Sequence, residues 1–350
     1  MNRNIFQEEI AAGFLEKGET KTNNLITVEA DGGIQYQFFH KVDGKIQRDE
    51  PIYTACIDYL HRREGKEMFS FAAHTSIQKA LQLYPEVALQ SLINEIDGML
   101  ARKVWKGVLF ESLIKKQQKE ILYSSTIVKE KYNLEGESTS MKTRMVTGGN
   151  GQNLEDIPER LRSAPTTATS SVNTIASIAA SRNMEVATVD IKQAYLNADM
   201  ESDVFMWITQ PVANVLCERD KDFLPFLNKN GKVLVKLLKA QYGCVESAKL
   251  WYNHISKAII SYGFQVNPFD QCLFQKQDGE IWTYITLYVD DLLIVSDDKN
   301  RVDETIQQLR DTYTDITVTR GKIHEYLGMK FDFSNPGEKS LYQCLSIQRV

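Results

Sequence analysis

The chain has 350 residues, of which 43% are hydrophobic and 25% are charged, and its formal net charge is -5 at pH 7. This length and composition indicate a globular protein with two domains or one large one, and they argue against a disordered chain. No stretch approaches the roughly 18 uninterrupted apolar residues of a membrane span, and the N-terminus has no signal-peptide core, so we expect a soluble protein without a membrane partner.

The five cysteines are scattered along the chain and include no C-x-x-C pair. This spacing suggests neither a structural zinc site nor a disulfide framework. We therefore expect a reducing, intracellular compartment, and the pattern does not separate the cytoplasm from the nucleus.

Positive charge is concentrated in two segments of this acidic chain. Residues 102–146 carry ten Lys or Arg against five acids, and residues 232–257 carry five Lys against Glu246 alone. Because phosphate binding depends on the local field rather than on the total charge, both segments are candidate contacts for nucleic acid. An ordinary solvated face is the alternative for each of them.

The first half of the chain is predicted to contain an N-terminal extension followed by helices and strands. Residues 1–66 form this extension, to which we assign no chemistry, with a glycine-turn hairpin at 29–45. A helix is expected from Pro85, since Pro suits a first helical turn and apolar residues follow at spacings of three and four. Its inward residues are predicted to be Leu89, Ile93, Ile96 and Leu100. Residues 121–132 are a predicted strand, and residues 170–183 a predicted helix with Ser171 as its cap.

The second half alternates predicted strands with amphipathic helices. Strands are expected at 184–190 and from residue 232. Residues 247–262 are a predicted helix that has Ser247 as its cap and stops at Gly263. An apolar hairpin lies within 284–298, and a helix with Asp298 as its cap follows. The inward residues of that last helix are predicted to be Val302, Ile306, Leu309 and Tyr313.

From residue 186 to residue 333 the predicted order is strand, helix, strand-turn-strand, helix, strand. This is the βαββαβ order of a split, ferredoxin-like sheet, so the fold class is α+β. The first strand and the central hairpin are neighbours in such a sheet. We therefore expect Asp190, at the end of the first strand, to lie near Asp290 and Asp291 in the hairpin.

Two adjacent acids interrupt the apolar hairpin "YITLYVDDLLIVSDD". Neighbouring residues of a regular strand point to opposite faces, so Asp290 and Asp291 can share a site only at a turn. A plain hairpin turn is the alternative, since Asp is a good turn residue. Clustered carboxylates repel one another unless a cation neutralises them, and Mg²⁺ prefers such oxygen ligands. Two ions about 3.5–4 Å apart would activate a 3'-hydroxyl and stabilise a leaving pyrophosphate.

Five motifs in order resemble those of copia-type retrotransposon reverse transcriptases. They are "MKTRMVTGGNGQ", "VDIKQAYLNADMESDVFMWITQP", "KLLKAQYGCVESAKLWYNHI", "LYVDDLLIVS" and "HEYLGMKFDF". The ordered set covers about residues 70–335 and is far more specific than a lone Y-x-D-D. The resemblance implies an RNA-directed DNA polymerase that adds dNTPs to a primer 3'-hydroxyl by two-metal nucleotidyl transfer, on an RNA or DNA template.

The resemblance also implies a right-hand polymerase with fingers and palm. The reverse transcriptase domain would span residues 67–350, with fingers at about 100–170, a ferredoxin-like palm at about 171–335 and the start of a thumb at 336–350. With the thumb largely absent from the chain, we expect a weak grip on the primer-template and poor processivity. Residues 1–66 would be the end of a linker that joins an integrase to the polymerase in a polyprotein.

The resemblance assigns the metal site and a sugar gate. Asp190, Asp290 and Asp291 would be the catalytic carboxylates and the ligands of two Mg²⁺ ions. The backbone carbonyl of Ile191 would complete the shell of one ion. Tyr195 would exclude a ribose 2'-hydroxyl by sterics, and a plain core aromatic is the alternative for this residue.

The resemblance assigns five further substrate-binding residues. Tyr242 and Gly243 would lie beside the nascent base pair, with the glycine allowing close approach of the backbone. Lys142 and Arg144 would hold the triphosphate, with a solvated surface as the alternative for both. Tyr288 would support the hairpin near the primer end, with a buried tyrosine as its alternative.

The chain departs from the family pattern beside the nucleotide site. Residues 244–248 are "CVESA", where the family usually has Leu, Lys, Gln, Ser and Pro, so a basic residue is lost beside an acid gained. Ala176 stands where the family often places an Arg. The alternative function is an inactive truncated remnant that only binds nucleic acid or a partner. A nucleotidyl cyclase-like enzyme on the same palm is a third possibility, which the motif order does not support.

Overall fold

The computed structural model describes residues 25–30, 34–42, 45–48, 74–132, 138–313, 315–335 and 340–343. The chain divides into two compact units, Met1–Phe71 with Ser346–Val350, and Ala72–Leu345. Helices and largely antiparallel sheets are combined within the second unit, which is the α+β class that the sequence predicts. None of the helices in the described ranges has the length and apolar character that crossing a membrane requires.

The first unit contains a three-stranded antiparallel sheet of β1 (Leu25–Ala30), β2 (Ile34–Val42) and β3 (Lys45–Arg48). The hairpin expected at 29–45 is confirmed, because β1 pairs with β2 and β2 with β3. The sequence supplies Asp-Gly at both connections, and this pair favours tight turns.

The second unit contains fifteen strands and seven helices among its described residues. The strands are β4 (His74–Ser76), β5 (Trp105–Gly107), β6 (Leu122–Tyr132), β7 (Ser138–Thr147), β8 (Glu185–Ile191), β9 (Phe205–Ile208), β10 (Val233–Leu237), β11 (Gln265–Val266), β12 (Leu273–Asp278), β13 (Ile281–Tyr288), β14 (Asp291–Ser296), β15 (Ile316–Arg320), β16 (Ile323–Tyr326), β17 (Met329–Asp332) and β18 (Ser340–Gln343). The helices are α1 (Ile77–Leu83), α2 (Pro85–Ala101), α3 (Lys115–Lys119), α4 (Thr169–Ser181), α5 (Val212–Arg219), α6 (Ser247–Ser261) and α7 (Lys299–Thr312).

These strands form three sheets. The first, here called the mixed sheet, has the order β4-β6-β9-β10-β5, with β7 also paired to β6, and only its β6–β9 pair is parallel. The second, here called the central sheet, is antiparallel throughout and has the order β11-β12-β13-β14-β8-β15. The third consists of β16, β17 and β18. Strands β9 and β10 follow β8 in sequence but join the mixed sheet. The chain therefore passes from the central sheet to the mixed sheet and then returns to the central sheet at β11.

The central sheet is covered on both faces. Helices α6 and α7 pack on one face through side chains that include Trp251, Ile255 and Val302, together with Ile294 of β14. Helix α4 and strands β16 and β17 cover the other face, where Val295 of β14 is buried. Burial on both faces explains why β14 is apolar at consecutive positions rather than alternating.

The helix predicted from Pro85 is α2, but its buried face differs from the prediction. Its buried residues are Ala88, Leu92, Ile96 and Met99, whereas Leu89 is 40% exposed. The helix contacts both β7 and α5, and these two neighbours determine which side turns inward. The inward residues predicted for α7 are all buried, as expected.

Two predicted helix caps are wrong. Helix α4 begins at Thr169 and its cap position is Ala168, whose N–H donates to the carboxylate of Asp270 at 3.0 Å. That carboxylate, from a loop distant in sequence, takes the place expected for Ser171. Helix α6 begins at Ser247 itself, and the Ser247 hydroxyl donates to the carbonyl of Gln241. The cap at Asp298 is confirmed, since its side chain accepts from the Asn300 N–H.

Candidate active site

The two adjacent acids lie at the tip of the β13–β14 hairpin. Strand β13 ends at Tyr288 and β14 begins at Asp291, so Val289 and Asp290 form a two-residue turn. Val289 has a φ of 55°, a left-handed conformation that β-branched residues rarely adopt. Two-residue hairpins require positive φ at the first turn position, which explains the conformation and makes the turn a strained one.

Strand β8 brings Asp190 directly opposite this turn. Asp190 and Asp291 are paired residues of neighbouring strands, so their side chains leave the same face of the sheet. The Ile191 N–H donates to the Asp290 carbonyl at 2.9 Å and ties the end of β8 to the turn. The structure therefore brings together the three acids that the sequence singles out.

Charged groups of both signs influence Asp290, the acid at the turn. Burial raises the pKa of Asp290, and the negative charge of Asp190 raises it further. Arg144 and Lys142 lower the pKa of the same carboxyl, which places both cations within electrostatic reach of Asp290. A carboxylate that is half buried beside another one has much to gain from a neighbouring cation.

Two tyrosines and an arginine stand beside the acids. The rings of Tyr195 and Tyr242 have centroids 4.5 Å apart, and the Arg144 guanidinium carbon lies 5.5 Å from the Tyr242 centroid. Burial raises the pKa of each tyrosine, and the negative charge of Asp290 is the second cause in both cases. Tyr288 faces Asp291 across the hairpin and also packs against the core under α4.

The backbone of Gly243 lies close to the backbone of another segment of the protein, at Thr147. Gly243 has a φ of 97°, and a Cβ at this position would lie 2.0 Å from the carbonyl oxygen of Thr147. The Thr147 N–H donates to the Tyr242 carbonyl at 2.7 Å, so the end of β7 is joined to this turn. The glycine therefore allows β7 and the Tyr242 turn to meet, whether or not a base pair also lies beside it.

The acid gained in segment 244–248 is an internal structural residue. Glu246 is fully buried, accepts from the Ser202 hydroxyl, and accepts from the Gln152 side chain at 2.9 Å. The Gln152 oxygen in turn accepts from the Val245 N–H at 2.8 Å. The carboxylate thus joins the glycine-rich loop after β7 to the start of α6 rather than facing solvent.

The predicted basic segments are partly neutralised by ion pairs. Lys236 pairs with Asp203, and Lys239 pairs with Asp199 at 2.6 Å. Lys116 of the other segment pairs with Asp156 at 2.7 Å. Exposed pairs of this kind are weak, and they reduce the local positive field without removing it. Lys142 and Arg144 are exposed on β7 near Asp290, which makes them the cations of these segments best placed to meet an anion there.

Three further residues support the site, although none of them is among the candidate functional residues that the sequence predicts. The Trp251 indole N–H donates to the Val289 carbonyl at 2.7 Å, so a buried residue of α6 supports the strained turn. Glu95 of α2 and Gln193, which follows β8, join the site through hydrogen bonds between side chains. Sequence spacing gives no reason to connect Glu95 with Gln193, since only folding brings them together.

The carboxylates suit a cation that takes few protein ligands. Within the described residues, no group of three His, Cys, Asp or Glu side chains is arranged as a ready metal cage. Mg²⁺ is normally held by one or two carboxylates and keeps water and substrate phosphate as its other ligands. Two opposed aspartates with a third at the turn fit that donor set, and the ligand roles of Asp190, Asp290 and Asp291 stay predictions.

Residues 110–349 match the family of reverse transcriptases (RNA-dependent DNA polymerases), and the chain therefore belongs to this family. Among curated proteins, it is 27% identical over 196 residues to the retrovirus-related Pol polyprotein from transposon RE1 of Arabidopsis thaliana. The aligned segment makes up 56% of this chain and 12% of that protein. It is 29% identical over 168 residues to the retrovirus-related Pol polyprotein from transposon TNT 1-94 of Nicotiana tabacum. Here the aligned segment makes up 48% of this chain and 12% of that protein.

A shorter relative is a putative transposon Ty5-1 protein of Saccharomyces cerevisiae, 26% identical over 153 residues, which cover 44% of this chain and 45% of that protein. The resemblance to the copia-type reverse transcriptases is confirmed by these matches. The chain spans less than half the length of each of these relatives.

Proposed function

We propose that this chain is an RNA-directed DNA polymerase that adds dNTPs to a primer 3'-hydroxyl by two-metal nucleotidyl transfer. The observation that carries the proposal is the pairing of Asp190 with Asp291 across β8 and β14, with Asp290 at the adjoining turn. Family membership supports the same reaction. The template would be RNA or DNA, bound through its backbone rather than by base contacts.

The strand order supports a palm with a split, ferredoxin-like sheet. Strands β13, β14, β8 and β15 are adjacent in that order, α6 lies between β8 and β13 in sequence, and α7 lies between β14 and β15. We assign this central sheet to the palm and strands β6 and β7 to the fingers. Because β9 and β10 join the mixed sheet, the fingers and the palm would be continuous rather than separate domains.

The three acids would share one role in the proposed reaction. Asp190 and Asp290, with Asp291 as the third carboxylate, would hold two Mg²⁺ ions. When bound, Mg²⁺ favours ionisation of the primer 3'-hydroxyl and neutralises charge on the departing pyrophosphate. The new bond joins the 3'-oxygen to the α-phosphorus, and the bond from that phosphorus to the pyrophosphate breaks.

The tyrosines and the cations would position the nucleotide. Tyr195 is held against Tyr242, so its ring has little room to withdraw from a ribose 2'-hydroxyl. The Tyr242 ring also faces the Arg144 guanidinium, and this contact can orient Arg144 for charge-assisted contacts to the triphosphate. Lys142 lies two residues earlier on the same strand and would add a second cation. An intracellular location is part of the proposal and rests on the scattered cysteines.

The test is dNTP incorporation on an RNA template with a DNA primer in Mg²⁺. We expect incorporation by the unaltered chain, none by Asp290→Asn, and full incorporation by Asp311→Asn, which removes an exposed acid from α7. Incorporation that survives in Asp290→Asn would contradict the proposed site. A folded chain that binds the primer-template but incorporates nothing would instead be a binding remnant. Conversion of a free nucleotide to a cyclic product without primer-template would indicate a cyclase.

A further inference from the structure

A chain of hydrogen bonds joins helix α2, strand β7 and the turn after Asp190. One carboxylate oxygen of Glu95 accepts from the Met145 N–H at 3.2 Å, and the other accepts from the Gln193 side-chain amide at 3.0 Å. The Gln193 side-chain oxygen accepts from the Arg102 guanidinium at 2.7 Å. Arg102 also donates to the carbonyl of Gly98 at 3.2 Å. Both ends of the Gln193 amide are therefore fixed.

Side chains of helix α2 accept hydrogen bonds from backbone N–H groups at the outer edge of β7. In the described part of the chain, β7 pairs with β6 alone, so its other edge presents unpaired N–H groups. Ser91 accepts from the Thr143 N–H at 2.9 Å, and Glu95, one helical turn later, accepts from the Met145 N–H. Two acceptors spaced four residues apart on the helix thus match two donors spaced two residues apart on the strand. The backbone on both sides of Arg144 is held in this way.

The other end of the network holds an unusual backbone conformation. Gln193 has a φ of 51° and stands directly before the short 3₁₀ turn Ala194–Asn197, which carries Tyr195. A Cβ at Gly98 would lie 2.8 Å from the Gln193 side-chain oxygen, so α2 approaches this side chain as closely as a glycine permits. A non-glycine residue with positive φ persists only where its surroundings fix it, and these contacts supply that constraint.

Glu95 is a fixed acceptor in a half-buried position. Burial raises its pKa, while the bonds from Met145 and Gln193 and the nearby cations Lys142 and Arg144 lower it. A carboxylate that accepts two N–H bonds makes stronger bonds than a neutral group would. The network thus places one half-buried carboxyl group between two functional regions of the proposed site.

We propose that Glu95 and Gln193 are positioning residues that set the placement of Arg144 on β7 relative to Tyr195 after β8. Arg144 would hold the triphosphate and Tyr195 would face the sugar, so their separation determines how a nucleotide is seated and which sugar is accepted. This inference rests on the proposed polymerase function. Neither residue needs to touch the nucleotide, because both act through the backbone of the elements that do.

The test compares three variants of the full chain on the same primer-template. Gln193→Met keeps the length of the side chain and removes both of its hydrogen bonds, whereas Glu95→Gln leaves one oxygen for two donors. Gln118→Met is the matched control, because the Gln118 amide also makes two bonds, to the carbonyls of Phe110 and Leu113 at 3.2 and 3.0 Å. The measurements are KM and kcat for a dNTP, the preference for dNTP over rNTP, and hydrogen exchange of the Met145 amide.

We expect Gln193→Met to raise the KM for the dNTP about tenfold, as the loss of one charge-assisted hydrogen bond implies, with a smaller effect on kcat. The preference for dNTP should fall and the Met145 amide should exchange faster, with Glu95→Gln changing both in the same direction. Gln118→Met should keep the KM and the sugar preference of the unaltered chain even where its melting temperature falls.

Two results would overturn the inference, and they are distinguishable. If Gln193→Met lowers the melting temperature as Gln118→Met does but leaves the KM and the sugar preference unchanged, the network is only structural. If the unaltered chain neither binds nor incorporates nucleotides, the proposed polymerase function fails and the positioning role fails with it.

Discussion

Replacing Trp251 by phenylalanine tests whether the strained hairpin turn needs an outside hydrogen bond. The indole N–H is the donor to the Val289 carbonyl at 2.7 Å, and Val289 is the residue of the turn with positive φ. Phenylalanine keeps most of the buried ring but has no donor. We therefore expect Trp251→Phe to loosen the turn that carries Asp290 and to destabilise the fold.

The expected size follows from three contributions. Leaving the half-buried Val289 carbonyl without its donor costs about 1–3 kcal/mol, the range for a lost partner of a buried group. The missing indole atoms leave a small cavity, which costs up to about 1 kcal/mol if the surroundings do not close around it. Strain of about 1–3 kcal/mol at Val289 is no longer opposed by this bond, which favours relaxation of the turn. A loss of roughly 2–3 kcal/mol in the free energy of unfolding is expected.

The assay is urea unfolding together with Mn²⁺ binding followed by electron paramagnetic resonance, and the control is Tyr313→Phe. Tyr313 packs edge-on against Trp251, and its buried hydroxyl has no hydrogen-bond partner among the described residues. Removing this hydroxyl should leave stability equal or higher. Trp251→Phe should bind Mn²⁺ more weakly, whereas Tyr313→Phe should not. Equal stability and equal Mn²⁺ affinity in Trp251→Phe and the unaltered chain would refute the role of this hydrogen bond.

Three further changes test individual residues of the site. Because burial and Asp190 raise the pKa of Asp290, the folded chain binds a proton more readily there than the unfolded one. Without divalent ions, Asp290→Asn should therefore be the more stable form near pH 7, and urea unfolding at lower pH should show the gain shrinking as the acid is protonated in both states; a constant gain would contradict this origin. Gly243→Ala should lower the free energy of unfolding by at least about 1–3 kcal/mol, since φ is positive and Thr147 leaves no room, and an unchanged thermal melt would show that the backbone can shift. Tyr195→Val should raise rNTP incorporation relative to dNTP by about tenfold or more, measured by competition, whereas lower stability with unchanged sugar preference would identify a core aromatic.

Periodic apolar spacing was sufficient to locate the long helices. Helices α2, α6 and α7 lie where the sequence predicts them, because a strong repeat of apolar residues leaves few other ways to bury them. Caps were less predictable, since any nearby acceptor can satisfy a helix N-terminus. Asp270 replaces the expected Ser171 because it reaches the start of α4 from a distant loop, and no local pattern contains that information.

The residues of the candidate site also differ in how easily they can be recognised from the sequence. The apolar hairpin around Asp290 and Asp291 is visible as a motif because two acids stand out within a run of apolar residues. Glu95 does not stand out, since a single acid on an amphipathic helix ordinarily faces water. Its role follows only from the position of α2 along the edge of β7.

The sequence by itself determined the family, the central hairpin and the set of candidate acids, because motif order and apolar periodicity are local properties of the chain. The predicted strand order already places Asp190 near the hairpin acids, but only the tertiary structure sets the register that pairs it with Asp291. The tertiary structure alone decided that Gly243 meets Thr147 and that Glu95 contacts Gln193. These contacts join residues far apart in sequence. Their partners are selected by strand register and by the packing of helices against sheets, which depend on the whole fold rather than on any one segment.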